Sequence, residues 1–347
     1  MTRQLPIRVV ALTATALGVM AFSTSVQAED WRFAIEEIQG SVQDAYAQKF
    51  KELIEEKSGG EVTVTVYPYG ALGTSAQLTD LVADGALQFA NASPGHLGTL
   101  VPEIQVFSIP YLLSSDNEVN KKVLSESEVI YEDLGGALAN RGLKLLTMYP
   151  EGEMVWTANR EIRSPEDFDN FKMRTMVSPM LLEAYKAFGA DPTPMPYSEV
   201  YGGLQLNMID GQVNPIFAIE EMKFYEVSDY MIFSGEQQFT TTVVSNQDWF
   251  ASLPEDRQQM VEETIDELTD YIFQVQEEYN AERLEAIKED RPELEIIELT
   301  EDERAAFRER AQQVRERYVE MVGGDAEQVL NGLEQEFQEA REEVAQE

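Results

Sequence analysis

The run Phe171-Lys172-Met173-Arg174-Thr175-Met176 begins the stretch whose reading decides the fold, and Asp210-Gly211-Gln212-Val213-Asn214-Pro215 ends it. The opening residues read as a short extended segment carrying one arginine, and Leu181 to Phe188 reads as a helix. Pro192-Thr193-Pro194-Met195-Pro196-Tyr197 reads as a turn-rich connection, because each proline fixes φ and removes a donor. Glu199 to Met208 is a second helical run, after which the chain returns toward strand. With the extended runs as strands, Arg174, Tyr197 and Asn214 fall at or near ends that face one cleft. A cation, an aromatic ring and an amide converging there make a pocket for a small anionic or zwitterionic molecule.

The preceding sequence has the same grammar. Trp31-Arg32-Phe33-Ala34-Ile35 reads as a first strand, and Val42 to Lys57 as a helix with Tyr46, Phe50, Leu53 and Ile54 on one face. Ser58-Gly59-Gly60 stops that helix. Val62, Val64 and Val66 alternate with threonines as a strand does, Gln77 to Asp84 is helical, and Leu87 to Ala90 is a third short strand. This order is the signature of an α/β sheet. Val106 to Leu112 is an apolar connector, Ser125 to Asn140 is helical and Leu143 to Met148 is a strand. The chain then crosses at Tyr149-Pro150-Glu151-Gly152 into a second α/β unit, and Thr240 to Ser245 brings it back to the first. The expected division is residues 29–150 plus about 240–280 in domain I, and 151–239 plus about 281–347 in domain II.

Pro254 precedes a helical run from about Glu255 to Lys288, with Val261, Ile265, Leu268, Ile272, Val275 and Tyr279 spaced alternately four and three. Such spacing also suits a coiled coil. The reading preferred here is a single helix of a monomer lying across both domains. Thr300-Glu301-Asp302-Glu303 is a capping box that opens another helix, and Asp325 begins a last, highly charged one.

Arg3 and Arg8, the apolar run Val9 to Phe22, and Ser25-Val26-Gln27-Ala28 form a secretory signal, residues 1–28, with cleavage expected after Ala28. The apolar run is shorter than the ~20 residues of a spanning helix. The expected location is therefore the periplasm of a bacterium. With no cysteine there is neither a disulfide nor a thiolate metal site. Asp plus Glu outnumber Lys plus Arg by 64 to 26, giving a net charge of −38, which opposes phosphate-backbone binding and rules out nucleic acid as a partner. At 43% hydrophobic and 10% aromatic residues the chain packs a core rather than remaining disordered. Such acidity fits a source that lives in salt, where screening shortens repulsion to about 3 Å at molar concentration.

The residues of enzymatic chemistry are sparse. His96 is the only histidine, so neither a multi-histidine metal site nor a histidine relay can be built. No phosphate-cradling glycine pattern and no Gly-x-Ser-x-Gly elbow occurs. No cofactor is expected, and a binding protein is the better class than an enzyme. Arg174, in an apolar extended run, either pairs with an internal acid or holds a ligand carboxylate, which a guanidinium can do bidentately. Asn214 before Pro215 reads most simply as a turn amide. Tyr197 and Phe239 read as core aromatics, Glu37 as a surface acid and His96 as a loop histidine.

Taken together these stretches resemble the substrate-binding proteins of tripartite ATP-independent periplasmic (TRAP) transporters, the DctP-like family. The resemblance runs through Lys57-Ser58-Gly59-Gly60, Tyr67-Pro68, Ile109-Pro110-Tyr111, Arg174, Pro192-Thr193-Pro194-Met195, Ser198-Glu199-Val200-Tyr201, Asp210-Gly211-Gln212 and Lys223-Phe224-Tyr225-Glu226-Val227. It implies the two-domain periplasmic binding protein fold, with a long helix spanning both lobes and a membrane permease as partner. The residue matching Arg174 would clamp a carboxylate. Trp31 through Glu37, Tyr149 through Met154 and Ser164 through Asp169 are most similar to the ectoine- and hydroxyectoine-binding members; another small organic acid, such as a sugar acid, is the alternative solute. In those members an acid matching Glu37 takes amidinium N–H groups, while residues matching Arg174 and Asn214 take the carboxylate. Aromatics, including one matching Phe239, face the cation, a contact worth ~0.5–2 kcal/mol each. The chain departs from them in having Tyr197 where tryptophan is expected and His96 where phenylalanine is expected. A histidine there could repel a cationic ligand or bond to an added hydroxyl.

Overall fold

A computed structural model of the chain describes residues 28–346, so the expected export signal lies outside the described residues apart from Ala28. The chain runs β1 (Glu29–Ala34), α1 (Val42–Lys57), β2 (Val62–Tyr67), α2 (Ser75–Ala83), β3 (Phe89–Ala92) and α3 (Pro94–Leu97). Then come α4 (Asn117–Glu126), a π-helical turn at Val129–Leu134, α5 (Gly135–Ala139), β4 (Leu143–Ala158), β5 (Lys172–Thr175), α6 (Pro179–Phe188) and β6 (Asp191–Pro194). Next are α7 (Val200–Gln205), β7 (Gly211–Pro215), α8 (Ile216–Glu221), β8 (Tyr230–Asn246), α9 (Gln247–Ser252) and α10 (Glu255–Asp290). The chain ends with β9 (Glu295–Glu298), α11 (Glu301–Val322) and α12 (Ala326–Val344). Among the described residues no helix is long and apolar enough to cross a membrane.

The strands lie in the lateral order β2-β1-β3-β8-β4-β7-β5-β6, with β9 also on β8. Two strands make this one sheet rather than two. β4 has 16 residues and β8 has 17, and they pair antiparallel from Leu143–Asn246 to Ala158–Tyr230. One end of that ribbon carries β3, β1 and β2, while the other carries β7, β5 and β6 on one side and β9 on the other. Where the ribbon passes between the two halves its register shifts, between Pro150 and Gly152 opposite Thr240 and Phe239. A bulge of this kind bends a strand and redirects side chains. Gly152 adopts φ +132°, and a Cβ there would collide with Asn280 of α10, so glycine is required on two counts.

Alternation along β4 serves two faces at once. Met154, Trp156 and Ala158 enter an aromatic cluster with Phe168, Tyr185, Phe188 and Phe307, whereas Val155 enters a second cluster with Met195, Phe224 and Ile287. In the first half, Trp31, Phe33, Phe50 and Phe89 are fully buried, each worth roughly 1.5–3 kcal/mol of transfer from water. α10 has 36 residues and at 1.5 Å each spans roughly 54 Å. Its Leu268, Ile272 and Val275 join the first core and its Ile287 joins a core of the second half, so it lies across both.

Several local expectations change. Tyr149-Pro150-Glu151-Gly152 does not end a strand; it is the bulged middle of β4, and Thr240–Ser245 is only part of β8. Asp191–Pro194 is a strand despite its prolines, because β6 lies at the sheet edge where one row of N–H groups is not needed. The helical reading of 125–140 breaks into a π-helical turn and α5, and β9 is too short to be read from its four residues. α12 packs against α4 and the first core through Val329, Leu333 and Phe337, although the expected division gave residues 281–347 to domain II.

Asn280 ties these parts together. Its Nδ2 donates to the Glu151 carbonyl at 2.8 Å, and its Oδ1 accepts the Phe217 N–H at 3.1 Å, so one side chain joins α10, the β4 bulge and the start of α8. Asn280→Ala leaves two backbone groups without these partners and is expected to destabilise the protein by about 2 kcal/mol. A lowered melting temperature in thermal unfolding followed by circular dichroism checks this.

Candidate functional site

The sheet topology brings the carboxyl ends of β1, β2, β3, β5, β6 and β7 toward the crossing, which is where open parallel sheets place ligands. A cavity of about 260 Å³ lies there. It has room for several waters or for a small solute. Its wall includes all six residues singled out from sequence: Glu37, His96, Arg174, Tyr197, Asn214 and Phe239.

The second half supplies the cation. Arg174 stands on β5, 2% exposed, and its Nε and Nη2 both donate to the Met195 carbonyl, at 3.0 and 2.8 Å. Its Nη1 is buried and has no acceptor, and among the described residues Arg174 forms no ion pair. Burial pulls its pKa down to about 10, so it stays charged at neutral pH. A buried guanidinium fixed by one carbonyl, with its remaining N–H groups unpaired, suits a carboxylate. Asn214 is not a turn amide; it is a β7 strand residue whose Nδ2 donates to Gln212, which in turn donates to Thr157 at 3.1 Å. Tyr197 follows β6 in a 3₁₀ turn, edge-on to Phe224 at 5.8 Å and to Tyr69 at 6.0 Å. Tyr69 belongs to the first half, so this aromatic contact closes one side of the cavity between the halves. Phe239 reaches the cavity from β8, opposite Gly152 at the bulge.

The first half supplies acids. Glu37 lies beyond the end of β1 and is only 7% exposed, contrary to the reading of it as a surface acid. The chain there is held by the Tyr69 N–H, which donates to the Glu37 carbonyl at 2.8 Å. Burial first, and the neighbouring Glu151 second, raise the Glu37 pKa well above the usual carboxylate range. His96 is on the short helix α3, where its Nδ1 lies 3.0 Å from Glu36 Oε1 and 3.0 Å from Ser93 Oγ. Glu36 Oε2 accepts the Ser93 N–H at 2.9 Å, so one carboxylate fixes both the start of the helix and the histidine ring. With Nδ1 engaged, Nε2 is the ring nitrogen left for a ligand.

Four contributors were not singled out in the sequence: Glu36, Gln43 and Tyr69 on the wall, and Glu151 behind it. Glu36 adjoins Glu37 and Glu151 sits in the crossing tetrapeptide, but in a chain with 64 acids neither carries a local signal of burial. Gln43 lies in an amphipathic helix, where a polar residue is expected to face water.

Two sheet-bearing halves joined by a crossing ribbon, with a cation and acids facing one cavity between them, define a solute-binding protein. Residues 33–321 match the bacterial extracellular solute-binding proteins, family 7 (DctP), and the chain belongs to that family. It is 45% identical over 322 residues to the ectoine-binding periplasmic protein TeaA of Halomonas elongata, covering 92% of this chain and 94% of that one. It is 41% identical over 319 residues to the ectoine/5-hydroxyectoine-binding periplasmic protein UehA of Ruegeria pomeroyi, again covering 92% and 94%. The high-resolution structure of the ectoine-binding protein from the TeaABC TRAP transporter of Halomonas elongata superposes with a TM-score of 0.86 at 44% identity, covering 89% of this chain and 99% of that one.

Proposed function

We propose that this chain is the periplasmic receptor of a TRAP transporter, and that its solute is ectoine or 5-hydroxyectoine, delivered to the membrane permease. The observation that carries the reading is charge placement across one cavity. Arg174 offers unpaired guanidinium N–H groups on one wall, and Glu37 offers a carboxyl from the other half of the molecule. Ectoine is a cyclic amidinium bearing a carboxylate, so it presents one group to each. Tyr197, Tyr69 and Phe239 add aromatic faces for the delocalised cation, and the similarity to the two ectoine-binding relatives supports the same assignment.

In this reading the two halves are lobes that meet over the solute, dividing near residues 150 and 240 where β4 and β8 cross, with α12 moving with the first lobe. The role is binding and release with no chemical conversion. Export through residues 1–28 precedes it, in keeping with the extracellular description of the family.

Calorimetric titration with ectoine, 5-hydroxyectoine, glycine betaine and several sugar acids tests the proposal. Binding of the two ectoines is expected, and a sugar acid that binds when neither ectoine does contradicts the assignment. Arg174→Ala is expected to weaken ectoine binding by at least about 30-fold, since truncating one partner of a buried charge pair costs 2–5 kcal/mol. Unchanged affinity would remove the clamp. His96 bears on the choice between the two ectoines, because its Nε2 can bond to a ring hydroxyl. His96→Phe is therefore expected to lower affinity for 5-hydroxyectoine relative to ectoine by about 2- to 12-fold, the worth of one neutral hydrogen bond. The ratio of the two dissociation constants in wild type and variant measures it.

A further inference from the structure

We infer that Glu151, behind the cavity wall, shares a proton with Glu37, and that a solute's cationic group binds by displacing a proton from this pair. The inference rests on the proposed function for the presence of a cation on the solute. Glu37 comes from the turn after β1 and Glu151 from the bulge of β4, at 7% and 0% exposure. Gln43 holds both. Its backbone N–H donates to Glu37 Oε2 at 3.4 Å and its Nε2 donates to Glu151 Oε1 at 2.9 Å. The Gln43 Oε1 accepts the Glu36 N–H at 2.8 Å, which sets the orientation of the amide. The second oxygen of Glu151 is buried with no N–H or O–H donor, and Gln43 bridges the two carboxyl groups. Ionised carboxylates only accept hydrogen bonds. A proton held by the bridged pair supplies the donor that Glu151 lacks.

The surroundings favour holding it. Burial above all raises Glu151 to about 7, with Glu36 from the β1 turn and Glu221 from α8 adding to the rise and Glu37 and Gln43 opposing it. Glu221 is itself pushed up to about 9 by burial and by Glu37, with Arg283 opposing and Glu220 and Asp44 reinforcing. Tyr149 and Tyr197 also face the pair, and His96 contacts Glu36 rather than either member. A cation beside Glu37 reverses the balance by favouring its carboxylate. Below about pH 7 the free pair holds two protons, one on each carboxyl. With the cation bound Glu37 is the carboxylate, one proton leaves to solvent, and the other stays on Glu151, which donates it to the Glu37 carboxylate. A solute without a cation cannot drive that step, so Glu151 acts as a positioning residue that favours zwitterions over simple anions.

The linkage has a definite sign. Solute binds the pair with one proton fewer, so affinity falls as pH drops through about 7, and the slope counts the protons released. Neither charged group of ectoine titrates between pH 6 and 8. Titration of the purified protein with ectoine at pH 6 and pH 8, in two buffers of different protonation enthalpy, is expected to show close to one proton released at pH 6 and little at pH 8. Affinity at pH 6 is expected to be about tenfold weaker. Glu151→Gln loses most of the release, whereas His96→Gln keeps it. Equal heats in both buffers at pH 6 overturn the inference, as does release lost in His96→Gln and kept in Glu151→Gln. Absence of ectoine binding under all conditions overturns instead the function on which the inference rests. The pair then has its own test without solute. A wild-type minus Glu151→Gln infrared difference spectrum shows a protonated carboxyl at pH 6 if the pair holds a proton, and its absence overturns the pair.

Discussion

The continuous pairing of β4 with β8 is the constraint on which the rest depends. Antiparallel strands of 16 and 17 residues give each half of the molecule the centre of its sheet and leave no separate linker between them. The cavity lies beside the middle one of the three places where this ribbon shifts register, and that bulge puts Phe239 on the cavity wall and Glu151 behind it. α10 locks the same point from outside through Asn280. The helices, the edge strands and the loops that carry the other wall residues are arranged around a bend in two strands.

Electrostatics inside the cavity is separate from the charge of the surface. A net charge of −38 governs repulsion between molecules and the response to salt. The cavity wall instead carries a few buried groups that are costly to leave charged and unpaired. Arg174 has a carbonyl but no carboxylate beside it, and Glu37 has another acid beside it rather than a cation. In the proposed complex each is compensated by the opposite end of a zwitterion, and the same solute bridges both halves. In that complex recognition is linked to the approach of the two halves, because neither half holds both complementary charges.

Much of the architecture was legible in local pattern. The alternation at Val62–Val66, the amphipathic face of α1, and the four-three spacing of α10 all appear where the sequence puts them. The six residues singled out also line one cavity, Arg174, Tyr197 and Asn214 on local pattern as well as resemblance, and Glu37, His96 and Phe239 on resemblance alone. The rest was hidden for physical reasons. The proline in Pro150-Glu151-Gly152 and those in Asp191–Pro194 signal turns in isolation, and only their neighbours in the sheet make them strand. Burial of Glu37 and Glu151 depends on α1 meeting the bulge of β4, which lies 108 residues beyond Gln43, and no periodicity records which two of 64 acids come together there. Gln43 looked like the polar face of a helix because that face happens to cover a second polar layer.

The central claim is that one solute is held by Arg174 at its carboxylate and by Glu37 at its cation, and a crystal structure of the protein with ectoine tests it most directly. The account predicts the carboxylate within hydrogen-bond distance of Arg174 Nη1 and the amidinium N–H groups directed at Glu37. A reversed solute, or one bound without touching Arg174, would contradict it.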